Sequence, residues 1–109
     1  ISDAPLDNNG KGEAFSPTDT VANALASCMM TIMGIKARDM EVNLIDSTAE
    51  VTKIMNAEPR RIGAIEIVFE MNGVADEKNR TILERAAMTC PVLFSLNPEI
   101  EKRVTFNWK

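Results

Sequence analysis

The longest apolar segment of the chain runs from Val21 to Ile35, with Asn23 as an early polar interruption. Large apolar residues and Cys28 recur at intervals of three and four positions, which predicts one buried stripe on a helix. Met29 and Met33 widen this stripe, and alanine, serine and glycine fill much of the remaining surface. A helix that is apolar on most sides is expected at the centre of the protein. The stripe consists of Val21, Leu25, Cys28, Ile32 and Ile35.

Residues 16–19, with the sequence SPTD, indicate where this helix begins. Ser16 suits the N-cap, Pro17 suits the first helical position, and Asp19 stands where a capping-box acid belongs. The pattern continues to about Asp39. Residues 1–15 contain proline, asparagine and glycine and are predicted to form a loop.

The remaining patterns predict three strands and two further helices. Residues 62–71 alternate between apolar and mostly acidic positions, which is typical of a strand with one buried face. Weaker strand patterns cover residues 47–55 and 101–108. Residues 76–89 and the segment CPVLFSL at 90–96 read as helices. The order predicts an α+β domain with an antiparallel sheet around a long central helix.

Composition narrows the classes of function. The chain has 109 residues, enough for one domain, and a formal net charge of −4, which disfavours nucleic acid and anionic membranes as partners. The apolar segment is shorter than the roughly 20 residues of a membrane span. Histidine is absent, so histidine-containing zinc sites and Cys-His catalytic pairs are excluded. We expect no metal and no cofactor, and the two cysteines without secretory features favour the cytoplasm.

The two cysteines are the candidate reactive groups. Cys28 lies within the apolar helix, where a free cysteine is commonly inert core packing. Cys90 precedes Pro91 at the start of a short helix, and the free N–H groups there can stabilise a thiolate. They are 62 positions apart (90 minus 28), and periodicity does not show whether they meet.

The helix SPTDTVANALASCMMTIMGIKARDM followed by AAMTCPVLFSL resembles the OsmC/Ohr family of thiol-dependent peroxidases. In that family a long central helix carries the first cysteine, and a Cys-Pro pair follows some sixty residues later. The resemblance covers about residues 7–109, so the chain is expected to be a single OsmC-like domain, 1–109. The family's N-terminal strands would precede Ile1. "SPT" and "GIKA" are closer to the less-characterised OsmC-like branch.

The resemblance implies an intertwined homodimer with active sites at the subunit interface and a role against oxidative stress. Cys28 would attack an organic hydroperoxide and become a sulfenic acid, and Cys90 would resolve it as a disulfide. An external dithiol would then reduce the disulfide. We expect an apolar substrate pocket lined by Val21, Leu25, Met29 and Phe94.

The family's supporting residues are an N-terminal arginine and a glutamate ten residues before the first cysteine. Thr18 occupies that position here, with Asp19 beside it, and no arginine precedes Arg38. Thr18 and Asp19 are therefore the candidate supporting residues, although completion of the helix cap is the favoured explanation of Asp19. The alternative function is a non-catalytic OsmC-like dimer that binds a small apolar ligand in the interface cleft.

Overall fold

The computed structural model describes residues 16–73 and 75–109, so the loop predicted for residues 1–15 lies outside the described residues. Helix α1 (Pro17–Asp39) begins as predicted. The Ser16 hydroxyl accepts a hydrogen bond from the Asp19 N–H at 3.1 Å, and the Asp19 carboxylate accepts one from the Ser16 N–H at 3.1 Å. This reciprocal capping box satisfies two N–H groups that the helix itself leaves unpaired.

The other elements follow in the predicted order. They are strands β1 and β2, helices α2 and α3, and strand β3, with the bounds Thr48–Asn56, Arg61–Met71, Glu77–Ala87, Pro91–Ser95 and Glu101–Trp108. The α+β class is therefore confirmed.

The sheet has the strand order β1-β2-β3 and is mixed rather than antiparallel throughout. β1 pairs with β2 in antiparallel orientation, as expected for strands joined by a short turn, and the register shifts between Ile54 and Met55. β3 pairs with β2 in parallel. Residues 72–100, which include α2 and α3, connect these two strands and are long enough to carry the chain back to the same end of the sheet. The prediction of antiparallel pairing was wrong for β3.

The core lies between α1 and the central strand. β2 buries Ile65, Ile67, Phe69 and Met71, as its alternation predicted. The Phe69 ring stacks on the Phe106 ring of β3 with 5.1 Å between their centroids. α1 contributes the residues of one continuous face, which are Ala22, Leu25, Ala26, Met29, Met33 and Ala37.

This buried face of α1 is not the predicted stripe. Leu25 is fully buried, but Val21 is 37% exposed and Ile35 is 47% exposed, while Cys28 and Ile32 are partly buried. Because apolar residues surround most of the helix, periodicity alone does not select the packed side. The structure selects a face with three alanines, whose small side chains let the helix lie close to its neighbours.

Among the described residues, α1 is the one helix long and apolar enough to cross a membrane by length and composition. The central helices of globular proteins pass the same test, and in this structure α1 packs against both helices and two strands.

Candidate functional site

Cys90 is the N-cap residue of α3, as its position before Pro91 predicted. Its backbone is extended, and its Sγ atom accepts a hydrogen bond from the Leu93 N–H at 3.3 Å. The side chain has no solvent exposure and belongs to the core that α1 and β2 form. The fold therefore buries a sulfur atom as the acceptor at the start of a helix.

The structure brings Cys28 and Cys90 together from two distant parts of the chain. Both are free thiols, and the Cys28 side chain packs against the core cluster that contains Cys90, close enough to influence the Cys90 thiol. Burial is the main reason that the pKa of Cys90 lies above its ordinary value, and the neighbouring Cys28 side chain raises it further. The hydrogen bond from Leu93 opposes this rise. Cys90 therefore holds its proton near neutral pH, beside a partner thiol that is partly open to solvent.

This arrangement supports thiol–disulfide chemistry. The more accessible Cys28 can meet a small molecule, and the buried Cys90 lies near Cys28 as a second thiol. In the parts of the chain that the structure describes, no group of three histidine, cysteine, aspartate or glutamate side chains is placed to hold an ion.

Thr18 and Asp19 lie at the start of α1, where they bind Lys53 of β1. The Lys53 ammonium donates to Thr18 Oγ1 at 2.7 Å and to Ser16 Oγ at 3.1 Å, and it lies 2.9 Å from Asp19 Oδ1. Its hydrogen bond lowers the pKa of Asp19. Asp19 precedes Cys28 by nine residues, about 14 Å along the helix. Both predicted supporting residues therefore complete a lysine site at the helix start.

Sequence reasoning missed Lys53 because nothing local links it to α1. The only signal is its position between Val51 and Met55, which share its strand face and pack against the core. Its side chain is 15% exposed, so the strand carries a largely buried cation to the helix terminus.

The four residues predicted to line a substrate pocket are not gathered in one place. Leu25 and Met29 are fully buried in the same core as Cys90. Val21 lies on the open side of α1, and Phe94 of α3 is 73% exposed. Their role towards a substrate stays a prediction, and in the single chain Val21 and Phe94 are the two that solvent reaches.

Among the surface clefts of the described residues, two that lie beside α1 are away from the thiols. A cleft of about 300 Å³ at the start of α1 is lined by Thr18, Ile62, Ile100 and Asn97 and by the ion pair of Arg61 with Glu99, 3.0 Å apart. An open groove of about 420 Å³ separates α1 from α2, with Ile32 and Ile35 on one wall and Ile82 on the other. Neither cleft includes a cysteine among its lining residues, so neither is the thiol site.

We expect Lys53→Met to lower the free energy of unfolding by about 1–2 kcal/mol at pH 7, mainly through the lost hydrogen bonds to Ser16 and Thr18. The ion pair adds little because Asp19 is more than one-third exposed. The lowered pKa of Asp19 means that its contribution is present above pH 3.8, the ordinary value, and is lost as pH falls through the folded-state pKa. Urea unfolding at several pH values measures this.

The matched control is Lys78→Met, which removes an equal charge from an exposed position on α2. It should change the free energy of unfolding by less than about 0.5 kcal/mol. An equal loss in both variants would show that net charge, rather than the Lys53 contacts, sets the difference. A Lys53→Met deficit that vanishes as pH falls through the folded-state pKa of Asp19 would show that the ion pair, and not the hydrogen bonds to Ser16 and Thr18, carries the effect.

The chain as a whole was compared with protein families and with solved structures. The family model described as OsmC-like protein matches residues 10–105. A crystal structure of a candidate osmotic stress induced and detoxification response protein from Psychrobacter arcticus 273-4 is 53% identical, with a TM-score of 0.92 over 97% of this chain and 77% of that one. No curated protein matches.

Two more distant structures share the fold. The OsmC-like protein of Mycoplasma pneumoniae is 15% identical, with a TM-score of 0.78 over 96% of this chain and 77% of its own. An organic hydroperoxide resistance protein OsmC from Legionella pneumophila is 18% identical, with a TM-score of 0.72 over 96% and 78% of the two chains.

Proposed function

This chain belongs to the OsmC-like family, and from that premise we propose that it is a thiol-dependent peroxidase that reduces organic hydroperoxides. The proximity of the Cys28 side chain on α1 to Cys90 at the start of α3 is the observation that carries the proposal. Two cysteines 62 residues apart meet inside the fold, one partly open and one buried, which is the arrangement that a two-thiol cycle needs. Organic hydroperoxide resistance proteins with the same fold are consistent with this function.

The cycle begins when the Cys28 thiolate attacks an oxygen of the hydroperoxide. The sulfur–oxygen bond forms as the oxygen–oxygen bond breaks, and the alkoxide takes up a proton and leaves as the alcohol. Cys90 then attacks the sulfur of the Cys28 sulfenic acid. Its thiol proton and the sulfenic hydroxyl leave together as water, and the disulfide remains. The raised pKa of Cys90 keeps that proton in place until this step. An external dithiol supplies two electrons and two protons to restore both thiols.

The protein acts, in this proposal, as an intertwined homodimer in the cytoplasm, without a metal or a cofactor. The exposed apolar residues Val21 and Ile35 give α1 a face that a second copy covers. Phe94 and Val21 then line the apolar approach of the hydroperoxide. Its partners are a second copy of itself, the hydroperoxide and the reducing dithiol.

A second candidate function is a non-catalytic dimer that holds a small apolar ligand in the cleft between subunits. The Lys53 cluster favours it, because Thr18 and Asp19 bind that lysine about 14 Å along the helix from Cys28. They therefore do not activate the thiol in the single chain.

The test is intact mass and free-thiol count after one equivalent of cumene hydroperoxide. The native protein should lose two hydrogens and both thiols, because Cys90 resolves the oxidised Cys28. In Cys90→Ser no resolving thiol remains, so Cys28 should instead gain one oxygen. Untouched thiols in the native protein would reject the peroxidase and leave the ligand-binding dimer.

A further inference from the structure

The Cys90 sulfur atom has two tasks in this fold. It caps α3 by accepting the hydrogen bond of the Leu93 N–H at 3.3 Å, and it belongs to the core cluster against which Cys28 of α1 packs. A disulfide requires its two sulfur atoms about 2.0 Å apart, with a narrow range of dihedral angles. Both thiols are free in this structure, so a sulfur atom must move to reach that distance, and movement of the Cys90 sulfur towards Cys28 draws it away from the Leu93 N–H. One atom therefore serves two competing contacts.

α3 has few backbone hydrogen bonds of its own to replace the cap. It contains five residues, Pro91–Ser95, and its backbone bonds from Phe94 to Cys90 and from Leu96 to Leu93 are each 3.4 Å long. A helix this short is not stable in isolation, since its nucleus is costly to form. None of its residues is fully buried. Loss of the cap should therefore loosen the whole element.

We propose that formation of the Cys28–Cys90 disulfide uncaps α3, so that this helix is folded in the reduced protein and frayed in the oxidised one. The inference rests on the disulfide of the proposed function. Two thiols lose two hydrogens and one sulfur–sulfur bond forms, while the Leu93 N–H loses its acceptor. The oxidant is the hydroperoxide in the cycle, or diamide, which takes up the same two hydrogens.

The uncapping would solve a difficulty of access. Cys90 has no solvent exposure in the reduced fold, yet a reducing dithiol must reach a disulfide sulfur. A frayed α3 opens the side of the site that Val92 and Leu93 cover, since both pack against the core beside Cys90. The oxidised state thereby presents the bond that the reductant attacks.

Amide hydrogen exchange measured by NMR tests this on the full chain. The Leu93 amide should exchange at least about fivefold faster after diamide oxidation than in the reduced protein, the factor expected for the loss of a helix cap. Amides in the middle of β2, such as that of Ile67, serve as an internal control and should be unchanged.

Two variants separate the cap from the disulfide. Cys90→Ser keeps a strong capping residue, so the reduced variant should protect Leu93 at least as well as the native protein. Cys90→Ala has no acceptor, so it should exchange as fast as the oxidised native protein without any oxidant. The proposal would be overturned if the Leu93 amide exchanged at the same rate in these two variants, or in the two redox states of the native protein.

Diamide also separates this inference from the peroxidase. If cumene hydroperoxide leaves the thiols untouched, the proposed function fails, and the diamide product still reports on the cap. If diamide produces no Cys28–Cys90 disulfide, the two sulfur atoms do not bond in this fold, and the inference is rejected.

Discussion

The Cys28→Ser variant should consume cumene hydroperoxide at least about a thousandfold more slowly than the native protein, with a dithiol present as reductant. A serine hydroxyl keeps its proton at neutral pH and does not form a sulfenic acid, so the step that breaks the oxygen–oxygen bond is lost. Cys90 does not replace it, because that thiol is fully buried and its pKa is raised. Steady-state loss of hydroperoxide measures the effect.

The chain offers a control that keeps its composition. Ser27 precedes Cys28 on α1 and is exposed, so Ser27→Cys combined with Cys28→Ser exchanges the two side chains. The exchange rotates the thiol by about 100° around the helix, away from Cys90. We expect this isomer to be as inactive as Cys28→Ser and to form no intramolecular disulfide. Activity within tenfold of native in either variant would refute the role of Cys28.

Phe69→Ala should cost about 3–5 kcal/mol of the free energy of unfolding. The ring is fully buried on β2 and stacks on Phe106, so its removal leaves a cavity and ends the ring contact. The total free energy of unfolding of such domains is about 5–15 kcal/mol, so this loss is a large part of it. The melting temperature should therefore fall by about 15 °C or more. Thermal unfolding followed by circular dichroism measures the change.

The control removes the same ring from an exposed site. Phe94→Ala changes a residue that is 73% exposed, so it should alter stability by less than about 0.5 kcal/mol. If Phe94→Ala proved as destabilising as Phe69→Ala, then Phe94 would be a core residue in solution, and the packing described here would be wrong.

Sequence patterns predicted the elements well because their signals are local. The capping box at Ser16, the Cys-Pro start of α3 and the bounds of β3 all depend on residues within a few positions of one another. The alternation in β2 identified its buried face, because glutamates recur on the other face of the same strand.

The features that sequence did not predict depend on distant partners. The parallel pairing of β3 depends on the path of residues 72–100. The ion pair of Lys53 with Asp19 depends on where β1 passes α1. The packed side of α1 was mistaken because the apolar surface of this helix extends beyond one face. Val21 and Ile35 are as apolar as the core, and only the position of the sheet distinguishes them.

The parallel pairing of β3 also sets the order in which the chain can assemble. β1 and β2 are neighbours in sequence, whereas Ala64 pairs with Glu101, 37 positions later (101 minus 64). Closing the longer loop costs more chain entropy, so the hairpin is expected to form early and β3 to dock late. Cys90 lies within that late-closing connection. We therefore expect a newly made chain to bring its two thiols together late in folding, as this connection docks on α1.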